Sequence, residues 1–353
     1  MKFSKNKLAK KNNKTIYSIE FTNDNGFKFN FINLGCYIKN VIIPYSKKND
    51  KFEDVVLGYN NLKNIINDKS YFNCIVGRVA GRISNSSFFL NNKKYNLFNN
   101  EKKHHLHGGK YGFNKKIWNI KDIENNNNSI VCSMNYKSLH LEEGYPGNLE
   151  CYVKYSLNNK NQITIEFQAI SDKDTLVNLT NHNYWNFNGH ALNYNNIENH
   201  ILSINSNKYC EVDNELIPNG KIISTAKTKY NFHNQKKIGL NTLKKGGIDN
   251  YYIFRNYKKT VNKVLKVFSP STGMGMILLS DQPGLQFYTG NNLNCDYIGK
   301  NNRYYGKNFG LCFEPQLYPN AINIRNFPSI VLKKGNTYKS KVVFNLINNF
   351  NDK

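Results

Sequence analysis

Residues 151–170 read CYVKYSLNNKNQITIEFQAI. Apolar and polar side chains alternate in CYVKYSL and again in ITIEFQAI, and a short run of Asn, Lys and Gln separates the two segments. Alternation with a period of two is the pattern of a half-buried β-strand, and polar separators of this kind are typical of turns. This part of the chain is therefore predicted to run strand, turn, strand.

The same pattern recurs along the whole chain. Short β-branched or aromatic segments, separated by clusters of Asn, Asp, Gly and Lys, include TIYSIEF, GFKFNFINL, YIKNVII, SFFLNNKKYNL, SIVCSMNY, HILSINSNKY, VLKVFS, GMILLS, GLQFYTG and YKSKVVFNLI. Helical patterns are scarce, and the best candidate is LKNIINDKSYF at residues 62–72. Many strands with almost no helix predict an all-β sandwich or barrel.

The sequence offers no obvious division into domains. It shows neither an internal repeat nor a linker, and ENNNNS at residues 124–129 is interpreted as the tip of a hairpin. We therefore expect residues 1–353 to form a single domain, with a flexible basic N-terminus over about residues 1–14.

The formal net charge is +25, a value that invites comparison with nucleic-acid-binding proteins. Only five of the 49 basic residues are arginine, the side chain on which recognition of bases and phosphates mainly depends. The lysines are spread along the chain beside asparagines, as in KKNNK and NNKKYN, which is typical of solvated loops. We expect non-specific attraction to anions and no specific nucleic-acid partner.

The seven cysteines, an odd number without a CxxC pair, favour free thiols in a reducing compartment over a disulfide framework. The N-terminal segment MKFSKNKLAKKNNK lacks the apolar core of a secretory signal, and no apolar run is long enough to span a bilayer. The sequence therefore predicts a cytoplasmic protein that does not associate with membranes.

Three segments escape the Lys and Asn bias and are candidates for a functional site: GRVAGRIS at 77–84, DQPGLQFYTG at 281–290 and GLCFEPQLYP at 310–319. Arg78 and Arg82 are either a surface pair beside a turn or, as we favour, include at least one guanidinium that points into a polar site. Glu314 lies in an apolar strand, where a carboxylate must be paired or must face a cleft, because burying it alone is costly.

Two further residues have both a structural and a functional interpretation. His182 lies among aromatic and amide side chains in LTNHNYWNFNGH, a composition that suits a sugar-binding surface as well as a core. Asp249, in GGIDNYYIF, is either a turn residue or part of the site.

HHLHGG at residues 104–109 is the densest histidine cluster. On a strand, His105 and His107 would share one face and His104 would take the other. Two histidines on one face can bind a metal, as in cupin-type barrels, but a third ligand is needed and no carboxylate lies nearby in the sequence after them. A metal site would require distant residues, so we rank it second to a metal-free site.

The segments GRVAGRI, LHGGKYGFNKKIW, EEGYPGNL, LTNHNYWNFNG, DQPGLQFYTGN and FEPQLYPNAIN together resemble, in order and rough spacing, the motifs of the aldose 1-epimerase (galactose mutarotase) family. The resemblance covers nearly the whole chain. It implies a large antiparallel β-sandwich of the galactose mutarotase-like supersandwich type, with an aldose bound in a shallow cleft and with neither a metal nor an organic cofactor. We expect a monomer or a homodimer.

By the same resemblance, Glu314 is the general base, His182 is the general acid, and His107 assists at the reacting end of the sugar. Interconversion of α and β anomers needs a base at the C1 hydroxyl and an acid at the ring oxygen, and one carboxylate and one imidazole suffice. We therefore predict a cofactor-independent aldose 1-epimerase, with Glu314 ionised and His182 protonated in the productive state.

The resemblance further implies that Arg82, Asp249 and Gln286 bind sugar hydroxyls. The chain departs from the family pattern at four positions, which are Gly81 for Asn, Asn114 and Asn320 for Asp, and Trp185 for Phe. Of these, Gly81 removes a possible sugar contact and bears on substrate preference. The alternatives that stay open are a hexose-6-phosphate 1-epimerase and a non-catalytic sugar-binding protein on the same fold.

Overall fold

The computed structural model describes residues 1–45, 51–190 and 196–348. Its strands, numbered in chain order, are β1 (Lys2–Lys11), β2 (Lys14–Thr22), β3 (Lys28–Ile32), β4 (Ile38–Pro44), β5 (Phe52–Asp54), β6 (Ile75–Val76), β7 (Arg82–Ile83), β8 (Ser87–Leu90), β9 (Lys93–Asn96), β10 (His105–Leu106), β11 (Asn119–Asn125), β12 (Ser129–Ser138), β13 (Leu149–Asn158), β14 (Gln162–Ser171), β15 (Thr175–Leu176), β16 (Thr180–Asn181), β17 (Tyr184–Trp185), β18 (Ile201–Ile204), β19 (Ser206–Val212), β20 (Pro218–Ser224), β21 (Lys236–Lys237), β22 (Asp249–Phe254), β23 (Asn262–Phe268), β24 (Met274–Ser280), β25 (Gly284–Tyr288), β26 (Leu311–Gln316), β27 (Val331–Leu332) and β28 (Thr337–Asn348). The helices are α1 (Leu62–Asn67) and α2 (Leu240–Lys244), with single 3₁₀ turns at Ser84–Ser86, Phe113–Lys115, Glu142–Gly144, Lys300–Asn302 and Ala321–Asn323.

Three large sheets contain most of the strands. Their strand orders are β1-β2-β3-β4-β5, then β11-β12-β13-β14-β28-β24-β23-β18-β21, then β17-β26-β25-β22-β19-β20. Four two-stranded sheets, β7 with β10, β6 with β16, β15 with β27 and β8 with β9, complete the described structure. Every pair of neighbouring strands in these sheets is antiparallel.

The alternating stretch at residues 151–170 forms the centre of the nine-stranded sheet as parts of β13 and β14. Along β13, every second residue from Leu149 to Leu157 is buried, and the residues between them are more exposed. Strand β14 alternates in the same way. The period-two pattern therefore corresponds to one face packed on the core, as predicted.

The buried face of the nine-stranded sheet packs against the other two large sheets. In the contact with the five-stranded sheet, the rings of Phe29 and Phe31 in β3 lie 5.4 and 4.9 Å from Tyr155 in β13. In the contact with the six-stranded sheet, the ring of Trp185 in β17 lies 5.0 Å from that of Phe344 in β28. The predicted all-β antiparallel sandwich is confirmed. Because one hydrophobic cluster joins all three sheets, we propose that the chain is a single domain.

Two local predictions need correction. The basic N-terminus was expected to be flexible, but residues 2–11 form β1 and pair with β2. The helix expected over residues 62–72 ends at Asn67, because the Asp68 carboxylate accepts hydrogen bonds from the backbone N–H groups of Ser70 and Phe72 and turns the chain. The predicted hairpin tip between β11 and β12 is confirmed.

Two further features concern the chain as a whole. None of the helices in the described ranges combines the length and the apolar character that crossing a bilayer requires. All seven cysteines lie in those ranges, and each is a buried free thiol, as the sequence predicts.

Candidate active site

A cavity of about 570 Å³ lies over the six-stranded sheet, a volume within the range of small-molecule sites. Alternate residues of three neighbouring strands line it, because side chains in a strand point to opposite faces. These residues are Asp249 and Tyr251 of β22, Gln286 and Tyr288 of β25, and Glu314 and Gln316 of β26. The intervening Leu285, Phe287 and Phe313 belong to the hydrophobic core. The sheet thus separates the core from a polar cleft.

Glu314 lies on the floor of the cleft, opposite Gln286 in the strand register, and is 1% exposed. Its Oε1 atom is 3.5 Å from Nε2 of His182, and its Oε2 atom has no hydrogen-bond partner among the described residues. Burial raises the pKa of Glu314 well above its usual value, an effect increased by Asp249 and opposed by Arg82. Burial also lowers the pKa of His182 to about 4.

Burial therefore favours the neutral form of both groups, so Glu314 and His182 together hold one proton. The state predicted from the sequence, with Glu314 ionised and His182 protonated, holds the same single proton on the other partner. The two states differ by one proton transfer across a short gap. In the free site the proton is favoured on Glu314, because moving it to His182 would create two buried charges, a carboxylate and an imidazolium, without solvation by water.

His107 follows β10, and its backbone φ of 52° turns the chain out of the strand. The backbone N–H of Gly81 donates to Nδ1 of His107 at 3.2 Å, and the N–H of His107 donates to the carbonyl of Gly81 at 3.1 Å. Burial lowers the pKa of His107 well below its usual value, so the ring is neutral. Because Nδ1 accepts a hydrogen bond, Nε2 carries the proton and can donate to a ligand.

Arg82, Asp249 and Gln286 form a polar wall of the cleft. Nε2 of Gln286 donates to Oδ1 of Asp249 at 2.6 Å. Burial raises the pKa of Asp249, and the charge of Arg82 opposes this shift. Nη2 of Arg82 is 3.5 Å from Oε1 of Glu101, and its buried Nε has no partner in the described part of the chain. The wall presents both donors and acceptors, which is what hydroxyl groups require.

The cleft brings together all six residues that the sequence selected, although they are far apart in the chain. They are Arg82, His107, His182, Asp249, Gln286 and Glu314. The aldose 1-epimerase family model matches residues 17–345.

The chain belongs to the aldose 1-epimerase family.

A human protein named galactose mutarotase is 32% identical over 313 residues, which cover 88% of each chain. An aldose 1-epimerase from Haemophilus influenzae is 32% identical over 311 residues, 86% of this chain and 87% of the relative. Among solved structures, a galactose 1-epimerase from Lactobacillus acidophilus NCFM aligns with a TM-score of 0.84 at 25% identity and 98% coverage of both chains. An aldose epimerase homologue from C. elegans aligns with a TM-score of 0.83 at 28% identity, covering 93% of this chain and 97% of that one.

Membership in the aldose 1-epimerase family makes the chain an isomerase-class enzyme. The alignments with these relatives cover most of this chain and most of each relative. The cleft over the six-stranded sheet is therefore the candidate active site of this enzyme.

Among the residues that the structure describes, one group of three could hold a metal ion in this aldose 1-epimerase: His107, His182 and Glu314, whose ligand atoms lie within 4.8 Å of one another. This set differs from the pair of histidines in HHLHGG considered from the sequence. A metal ligand needs a free lone pair. In His107, Nδ1 accepts from Gly81 and Nε2 carries the proton. The ring is therefore arranged as a hydrogen-bond donor and does not fit a metal.

The other two histidines of HHLHGG have structural contacts. The ring of His105 lies between the carbonyl of Phe98 and the hydroxyl of Tyr145, at 2.7 Å from each. Nδ1 of His104 accepts from the backbone N–H of Asn85 at 3.0 Å. His105 and His107 do not share a face, contrary to the strand-based expectation, because β10 ends before His107 and the positive φ redirects its ring.

Sequence reasoning missed some residues of the cleft. Tyr71 packs its ring against His107 and His182, with centroids 4.8 and 6.3 Å away, and its hydroxyl accepts from Asn100. No sequence pattern marks Tyr71, which lies in the loop after α1. Gln316 could have been found, because it lies in a segment that escapes the Lys and Asn bias.

Proposed function

We propose that this protein interconverts the α and β anomers of free aldohexoses, such as glucose or galactose, by acid/base-catalysed ring opening and closure. The observation that carries the proposal is the 3.5 Å approach of Glu314 to His182 on the floor of a polar cleft. A carboxylate and an imidazole this close together can reach two oxygens bonded to the same carbon, as O1 and O5 are bonded to C1.

Ring opening requires one proton to leave and one to arrive. Ionised Glu314 takes the proton of the C1 hydroxyl, the electron pair forms the C1=O1 double bond, and the C1–O5 bond breaks. Protonated His182 gives its proton to O5. Rotation about C1–C2 then presents the other face of the aldehyde, and the reverse steps close the ring. Neither a redox step nor a covalent intermediate is needed, so the reaction as proposed is independent of a cofactor.

The proton placement follows from the electrostatics of the cleft. The C1 hydroxyl of a bound sugar gives Oε2 of Glu314 a donor that it otherwise lacks among the described residues. A hydrogen bond to the carboxylate favours its charged form, as does Arg82. Binding therefore moves the proton from Glu314 to His182 and creates the base and the acid together. His107 donates from Nε2 near O1 or O5, and Arg82, Asp249 and Gln286 hold the other hydroxyls.

The charges around the cleft favour a neutral sugar over a sugar phosphate. Four cationic side chains of the described residues line the cavity, and each already has a contact: Lys69 and Arg82 face acidic side chains, Lys115 donates to two backbone carbonyls, and Lys110 lies over aromatic rings. The lining also includes four acidic residues, which are Asp68, Glu101, Asp249 and Glu314. A phosphate would have to compete with these contacts.

Polarimetry on freshly dissolved α-D-glucose and α-D-galactose tests the proposal. We expect acceleration over buffer, and a loss of roughly 10²- to 10⁴-fold in kcat for both Glu314→Gln and His182→Asn. Glu150→Gln, on β13 outside the cleft, is the matched control and should keep full activity. Full activity in Glu314→Gln would overturn the assignment of the base. Binding of sugar without turnover would favour the non-catalytic alternative, and stronger competition by sugar phosphates than by free sugars would favour the phosphate-specific one.

A further inference from the structure

Gln316 is a second buried polar group on the floor of the cleft. It follows Glu314 by two residues on β26, so both side chains point to the same face of the sheet. The residue is 1% exposed and lines the cavity. Its Oε1 atom has no hydrogen-bond partner within the described ranges. A buried amide oxygen without a partner is costly, so a donor is expected in the working state of the enzyme.

The backbone that carries Gln316 is held firmly. The Tyr251 hydroxyl donates to the carbonyl of Gln316 at 2.9 Å, and the Thr180 hydroxyl donates to the carbonyl of Pro315 at the same distance. Gln316 is also paired with Gly284 on the neighbouring strand. The amide is therefore presented from a rigid strand, which is the arrangement that precise ligand binding requires.

The surroundings of the Gln316 amide match a hydroxyl group. A side chain at Gly81 would begin 3.8 Å from Nε2 of Gln316, so the amide borders the backbone segment that binds His107. The next residue, Arg82, has a buried Nε without a partner among the residues described. The same cavity therefore holds an unused acceptor on Gln316 and an unused donor on Arg82. A hydroxyl both donates and accepts, and so can satisfy groups of both kinds.

We propose that Gln316 is a sugar-binding residue, with its Oε1 atom accepting a hydrogen bond from a sugar hydroxyl other than the one at C1. The inference rests on the proposed function. Glu314 and Gln316 are two residues apart on a strand, about 6.6 Å along its axis. Glu314 acts at C1, so Gln316 reaches a hydroxyl on another carbon. Gln316 then contributes to the choice among aldoses that differ at that carbon.

A comparison of deoxy sugars tests the inference. Gln316→Met removes the amide and keeps the length of the side chain. We measure kcat/KM of wild type and variant on glucose and on its 2-, 3-, 4- and 6-deoxy analogues. Wild type is expected to lose roughly 3- to 30-fold on the analogue that lacks the bound hydroxyl. The variant should lose a similar factor on glucose and should no longer discriminate against that one analogue, while its discrimination at other positions persists.

Gln282→Met is the matched control, because Gln282 is also buried with an Oε1 atom lacking a partner among the described residues, but does not line the cavity. Thermal unfolding of both variants checks their folding. If Gln316→Met is unstable, Gln316→Asn, which withdraws the amide by one methylene group, should show the same position-specific loss.

If Gln316→Met loses the same factor of kcat/KM on every sugar, its discrimination among the sugars is unchanged and Gln316 is structural. This outcome would overturn the inference about Gln316 and leave the proposed function intact. Wild type that accelerates none of the sugars would overturn the proposed function and this inference with it.

Discussion

Glu314 and His182 are buried in a site that disfavours the charged form of both side chains. Burial raises the pKa of the acid and lowers the pKa of the imidazole to about 4. The free cleft therefore keeps one proton on the pair over a wide pH range. This matters for the proposed reaction, because ring opening transfers one proton out of the sugar and one into it.

The pH dependence of kcat/KM should reveal the single proton held by Glu314 and His182. Below about pH 4, His182 is protonated as well as Glu314, so the pair holds two protons and Glu314 cannot act as the base. Above the raised pKa of Glu314, the pair loses its single proton and the acid is lost. We expect a bell-shaped profile whose acidic limb lies near pH 4, measured by polarimetry after subtraction of the buffer rate. An acidic limb near the usual histidine value would contradict this assignment of the proton.

Glu314→Gln should be more stable than wild type at neutral pH. The pKa of Glu314 is raised in the folded state, so between its usual value and the raised value the unfolded chain releases a proton that the folded chain keeps. Folding stability is lost as the pH rises through this window, and glutamine removes the loss. We expect the melting temperature of Glu314→Gln to exceed that of wild type by roughly 1–3 °C at pH 7.

The difference should shrink as the pH approaches the usual value for glutamate, where both states hold the proton. Calorimetry at two pH values measures this. An equal or lower melting temperature for Glu314→Gln at pH 7 would mean that the carboxylate does not carry a burial cost.

At the level of elements, Arg78 and Arg82 of GRVAGR have different roles, one structural and one in the cleft. Arg82 begins β7 and reaches the cleft. Arg78 is 2% exposed and donates to the carbonyls of Ser138, Leu139, Pro146 and Gly147 at 2.8–3.0 Å. Arg78 thus connects the chain just before β7 to both ends of the connection between β12 and β13, which contains EEGYPGNL.

Arg78→Lys should destabilise the fold and leave the chemistry intact. A lysine offers one ammonium group in place of the planar fork, so several buried carbonyls lose their donor. We expect a loss of about 3 kcal/mol in the free energy of unfolding, measured by denaturant titration. The KM of the folded fraction should stay close to that of wild type. Arg325→Lys, at an exposed position, is the control. Unchanged stability of Arg78→Lys would show that its hydrogen bonds are replaceable.

At the scale of the whole molecule, the net charge of +25 is a property of the surface that the proposed reaction does not use. Among the described residues that line the cleft, four are cationic and four are acidic. A neutral sugar feels little of the surrounding field, whereas anions are attracted to it and salt screens that attraction.

The rate with free glucose should therefore change less than about twofold between low and high salt. Binding to heparin, a polyanion, should be lost at moderate salt. Polarimetry and heparin chromatography over the same range of sodium chloride concentrations measure the two effects. A steep fall of kcat/KM on glucose with salt would indicate that the surface charge takes part in recognition of the substrate.

The fold class and the family could both be predicted from the amino-acid sequence. Strand alternation such as that of residues 151–170 depends only on which neighbours share a face of a sheet, and it is therefore visible locally. The ordered motifs also selected six residues that the structure places in one cleft. Their catalytic and binding roles stay predictions. Local reasoning was wrong for the N-terminus and for the end of α1, because β-pairing and the Asp68 side chain decided these segments.

The protonation states and hydrogen bonds of the selected residues depend on contacts between distant segments of the chain. The place of the proton on Glu314 and His182 depends on burial, and the tautomer of His107 depends on one N–H group of Gly81. The segment that contains Gln316 stands out in the sequence, but the proposed sugar-binding role of this residue depends on its oxygen being buried without a partner among the described residues. The physical reason is that desolvation and hydrogen bonding between distant segments set these properties. Neither can be read from the sequence around a residue.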